Sequence, residues 1–108
     1  MTFEDLVREV RSQMAQDRKL EKDYMEVVVE KEKLKPVLSV LENYFGAPFK
    51  PAGKAPSPEA LQHSKPYGGI AQNQTLYFHQ KEKTSEAAML WPWGSGANIT
   101  VKIFRTTI

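Results

Sequence analysis

A chain of 108 residues, 41% hydrophobic and 26% charged, is the size of one ordinary domain and too apolar for wholesale disorder. It contains no cysteine, which excludes disulfide frameworks, thiolate zinc sites and cysteine nucleophiles and fits a reducing compartment. The formal charge of +2 is unevenly spread: residues 1–45 hold eight Lys/Arg against ten Asp/Glu, residues 46–108 seven against three. Seven of the eleven aromatics fall in that basic second part, so the two parts are expected to do different work.

The opening Met1-Thr2-Phe3-Glu4-Asp5 is polar, with no basic start leading into an apolar run, and the longest apolar stretch, Ala87 to Trp93, is seven residues. The expectation is a soluble, cytoplasmic protein without membrane contact. Asn73-Gln74-Thr75 and Asn98-Ile99-Thr100 then match the glycosylation pattern by coincidence.

Thr2 followed by Glu4 and Asp5 is a helix start, a threonine cap with acidic side chains in the first turn. No glycine or proline interrupts the chain from there to Lys35, and Glu4–Arg8, Lys19–Asp23 and Lys22–Glu26 are opposite charges four apart. Apolar residues trace one stripe through Phe3, Val7, Val10 and Met14. A second runs through Leu20, Tyr24, Val27, Leu34, Leu38, Leu41 and Phe45. This pattern predicts a long N-terminal helical arm, irregular near Asp17 and kinked or restarted at Pro36. Val27-Val28-Val29 would also suit a strand, but their charged flanks favour the helix. Gly46 and Pro48 end the arm. A helix of about 30 residues is about 45 Å long, more than so small a domain covers, and pairing with a second copy would bury its seam.

Residues 47–68, with five prolines, read as a stiff linker, in which Ser57-Pro58-Glu59-Ala60-Leu61 has the makings of one helical turn. Pro48-Phe49-Lys50-Pro51 matches a minimal polyproline pattern, and the connector reading is preferred to it. Beyond Gly68-Gly69 three strands are expected, over 74–80, 87–93 and 99–106, the second apolar on both faces and therefore central. The fold class is thus α+β, a long helical arm followed by a small antiparallel β-meander of about three strands. Its organisation is a helical oligomerisation arm over 1–46, a Pro-rich linker over 47–68 and a sheet over 69–108.

No catalytic, cofactor or metal pattern stands out. His63 and His79 lack ligand spacing. His79, Glu86 and Ser85 can meet across a hairpin, but no nucleophile elbow or third orienting group accompanies them. Gly94-Ser95-Gly96 precedes a strand rather than a helix, so a hairpin tip is preferred to a phosphate loop. Trp91 and Trp93 share one strand face, as core or as a stacking platform. With Tyr77 and the cations Lys81, Lys83, Lys102 and Arg105 they form the candidate binding set for a nucleic acid. The leading expectation is a non-enzymatic assembly or binding protein that forms homo-oligomers through the seam Leu20, Tyr24, Val27, Leu34, Leu38, Leu41 and Phe45. A nucleic-acid-binding module and a small-ligand pocket at a subunit boundary, lined by Trp91, Trp93 and Tyr77, are the alternatives.

Overall fold

The structure, a computed structural model, describes residues 1–107. Helix α1 spans Phe3–Arg11 and begins in a full capping box: the Thr2 hydroxyl accepts from the Asp5 N–H while the Asp5 carboxylate accepts from the Thr2 N–H. It buries Phe3, Leu6 and Val10, and ends where Ser12 turns the chain back. Strands β1 (Gln16–Leu20) and β2 (Tyr24–Glu30) follow as an antiparallel hairpin. A 3-10 turn over Lys31–Lys33 leads into α2 (Leu34–Phe45), with Pro36 in its first turn, where a missing N–H costs nothing. Gly46, at φ +84°, closes it.

The long helical arm is therefore corrected to two short helices with two strands between them. Propensity and charge spacing favoured helix over residues 16–30, but pairing overrides them. β2 gains a partner on each side, β1 at one edge and β5 at the other, and buries Met25, Val27, Val28 and Val29. Consecutive β-branched residues suit a strand buried on both faces better than a helix with one apolar stripe.

The chain then passes through α3 (Pro58–Ser64), capped by Ser57 with Pro58 in its first turn, and a 3-10 turn over Lys65–Tyr67. Strands β3 (Thr75–Lys81), β4 (Thr84–Pro92) and β5 (Asn98–Thr107) complete the molecule. The three strands expected here are present within a few residues of their predicted ends. The expectation of about three is corrected to five, in the order β1-β2-β5-β4-β3 and antiparallel throughout.

One face of the sheet carries α1 and α2. Their Phe3, Leu6, Val10, Val37 and Leu41 pack on Val27, Val29, Tyr77, Leu90, Val101 and Ile103 in the larger core. Each of these large side chains contributes about 1.5–3 kcal/mol by leaving water. The opposite face carries Leu76, Ala87, Met89 and Phe104, closed by Ala60 of α3 and by Ile70. Lys50, 3% exposed, seals the rim of this layer: its ammonium donates to the carbonyls of Gln72 and Gln74, and its backbone bridges Leu76 of edge strand β3. Among the described residues no helix is long and apolar enough to cross a membrane.

Candidate functional site

The strand alternation sorts every candidate residue onto one face or the other. Glu86 of β4 stands directly opposite His79 of β3 and Arg105 of β5. All three point toward the helices, at the sheet end where the β3–β4 hairpin turns. The C-terminal turn of α2 closes over them with Tyr44 and Phe45, whose rings lie 5.1 and 4.9 Å from that of His79.

Glu86 is a buried carboxylate, 7% exposed, and a buried charge must be matched. The Tyr44 hydroxyl donates to its Oε1 at 2.6 Å, and His79 Nε2 lies 2.5 Å from the same oxygen. Burial, and then the hydrogen bond to Glu86, push the Tyr44 phenol up from its ordinary value. Oε2 accepts no hydrogen bond from any described residue. Glu86 lines a concavity of about 570 Å³ together with Lys81, Glu82, Thr84 and Arg105. Glu82, at the hairpin tip, has φ +49°, the one positive value among the described non-glycine residues. On the far side, Arg105 is held in place by ion pairs to Glu4 and Asp23, each at 3.0 Å, and packs over the Phe3 ring.

The opposite face is built differently, with most of its polar groups paired within the chain. Lys102, 8% exposed, places its ammonium 3.3 Å from the centre of the Trp91 ring and donates to the Tyr67 carbonyl. Burial lowers its pKa, opposed by Glu26. Tyr24, Tyr67 and Phe104 stack beside it. A concavity of about 370 Å³ opens here, but the Tyr24 hydroxyl is spent on Glu26 and Lys19 pairs with Glu21. Trp93 donates through Nε1 to Thr100 and carries Arg18 over its ring. The Trp91 Nε1 is buried and finds no acceptor.

The predicted binding set is thus divided. Trp91, Trp93 and Lys102 lie on the α3 side, while Tyr77, Lys81 and Arg105 lie on the side of α1 and α2. Lys83 is exposed at the hairpin tip. Tyr77 is 1% exposed beneath Phe45, and burial pushes its phenol up to about 12. The predicted seam is divided as well. Leu20, Tyr24 and Val27 sit on strands; Leu34, Leu38, Leu41 and Phe45 sit on α2 and pack into the chain's own core.

No family model, curated protein or solved structure matches this chain. Its own geometry is the guide to its function.

That geometry draws together His79 and Glu86, which the hairpin spacing suggested, and turns Ser85 to the other face. Tyr44 was not visible as their third partner, because it comes from a helix 42 residues earlier in the chain. Among the described residues no three His, Cys, Asp or Glu side chains converge closely enough to hold a metal ion.

Proposed function

We propose that this chain is a ligand-binding module that takes a small polar molecule in the concavity at the β3–β4 end of the sheet. The observation that carries this reading is Glu86, a carboxylate whose side chain is 8% exposed. Tyr44 and His79 hold one of its oxygens, and the other takes no hydrogen bond from any described residue. The buried polar atom left without a partner among the described residues is Trp91 Nε1, so Oε2 is open to solvent, and a ligand donor there would replace water with a charge-assisted hydrogen bond. The surroundings fit: the lining is charged and hydroxylic, with no aliphatic or aromatic side chain, so an apolar molecule gains nothing there.

Amide chemical-shift mapping on the isotope-labelled protein, challenged with cocktails of sugars, carboxylic acids, amines and amino acids, tests this. The expected result is a saturable shift at Thr84, Glu86 and Arg105 with at least one cocktail. Shifts confined to the Trp91–Lys102 face, or none, would sink it.

Self-association is a second and separate reading, supported by one feature. β1 is an edge strand whose five residues are all exposed, Leu20 included, and an unpaired edge is a template for another strand. Against it, the pairing of β1 is irregular between Asp17 and Lys19, and such bulges blunt edges. Light scattering at micromolar concentration decides: a clean 12.3 kDa particle removes this reading.

A further inference from the structure

We infer that the ligand of the Glu86 concavity is a small zwitterion of the α-amino-acid kind, its ammonium on Glu86 Oε2 and its carboxylate between Lys81 and Arg105. The inference rests on the ligand-binding reading above and specifies its chemistry.

Of the five lining residues, Lys81 and Arg105 are cations and Glu82 and Glu86 anions. The charges cancel in pairs, so a ligand of one sign gains at two walls and loses at the other two. A dipolar ligand aligned with the walls gains at both.

The strand register fixes that alignment. Glu86 faces Arg105 directly across β4 and β5, and Lys81 faces Thr84 across the hairpin. Thr84 and Glu86 are two residues apart on one strand face, about 6.5–7 Å. An α-amino acid with a charge-assisted hydrogen bond of about 2.8 Å at each end spans about 8–9 Å between protein groups, which the backbone spacing and the long stems of Lys81 and Arg105 together accommodate. Glu86 is held by Tyr44 and His79 through Oε1, which leaves Oε2 as the acceptor for the ammonium end. Arg105 is steadied by Glu4 and Asp23, yet a guanidinium carries more N–H bonds than these two carboxylates take up. The Thr84 hydroxyl, donor and acceptor together, serves either end. Because the lining side chains are all charged or hydroxylic, glycine, alanine and serine suit it better than large apolar amino acids.

The test is chemical-shift titration of the full chain with glycine and L-serine, alongside acetate, methylammonium and glucose as probes carrying one half, or neither half, of the charge pattern. The expected result is saturable shifts at Thr84, Glu86 and Arg105 with the amino acids, and binding about tenfold or more weaker for acetate and methylammonium. Glu86→Gln should remove the amino-acid response. Since Tyr44 and His79 also depend on Glu86, Lys81→Gln, at an exposed position, provides a variant that keeps the fold and should weaken glycine binding severalfold.

If glucose or a half-charged probe saturates the site at least as well as glycine, the zwitterion inference falls and the binding reading stands. Silence at these amides with every probe and cocktail overturns both. Unchanged glycine binding in Lys81→Gln overturns the placement of the carboxylate.

Discussion

Gly68 ends the 3-10 turn at φ +105°, and a Cβ built there would lie 2.5 Å from the Trp91 ring and 3.3 Å from the Lys102 ammonium. The position is closed twice over, by backbone conformation and by the ring beneath it. Gly68→Ala should cost about 2 kcal/mol or more, read as a lower urea midpoint, and should shift Trp91 emission because the ring must move. Lys50 makes a different case. It is a buried cation held by two carbonyls rather than by a carboxylate, and burial lowers its pKa. Lys50→Met keeps the stem and strands both carbonyls without a donor, at a cost of about 1–3 kcal/mol. If its denaturation midpoint equals that of the parent, the ammonium contributes nothing net. At this scale the candidate site was half legible. His79 and Glu86 are drawn together by a hairpin whose short turn fixes which residues face each other. The partners of Arg105 depend on where α1 and the β1–β2 turn land, which no local pattern encodes.

The segment from residue 16 to residue 30 shows where local pattern misleads. β1 reads Gln-Asp-Arg-Lys-Leu with every residue exposed, so no apolar alternation marks it as a strand. The β1–β2 turn at Glu21-Lys22-Asp23 contains no glycine or proline to signal it. The spacing of Leu20, Tyr24 and Val27 imitated a helical stripe, although these residues take opposite faces or different strands. β3, β4 and β5 were legible because alternation, the glycines before β3 and between β4 and β5, and aromatic content agree there, and α1 because its cap and acidic first turn lie within Thr2 to Asp5. In α2 the same stripe is real but serves an internal contact. Leu41 is fully buried while Leu38 is only partly so. Leu41→Asp should therefore abolish cooperative unfolding, whereas Leu38→Asp should leave a folded protein of reduced stability. Circular dichroism melts compare the two; equal damage from both would point to a seam between chains.

The molecule as a whole has an alkaline limit built into its tyrosines. Burial raises the phenols of Tyr24, Tyr44 and Tyr77, the last to about 12. A group with a raised folded pKa lends its stability below the unfolded value, about 10 for tyrosine, and loses it as pH climbs through the folded one. Buried Lys50 and Lys102 act oppositely, since their lowered values favour the folded state increasingly as pH rises from those values toward about 10.5, where the unfolded lysines release protons as well and the gain ends. Above that pH the lysine contribution is complete and only the tyrosine loss remains, so stability should fall most steeply between about pH 10.5 and 12. Absorbance at about 295 nm should show these three phenolates forming together with unfolding; smooth titration near pH 10 with the fold intact would contradict their burial. The strand order carries a consequence for how the protein is made. β5, the last of the five strands in sequence, lies in the middle of the sheet, between β2 and β4. As the chain leaves the ribosome, the N-terminal hairpin and its two helices wait beside an unfilled slot, and so does the β3–β4 hairpin. Until residues 98–107 emerge, β2 and β4 each offer a bare edge and an uncovered apolar face, to each other or to a neighbouring chain. Synthesis halted before Asn98 should therefore yield not a smaller folded protein but an aggregate. β5 acts as the keystone, and its arrival after the other four strands is the event that commits the sheet to its fold.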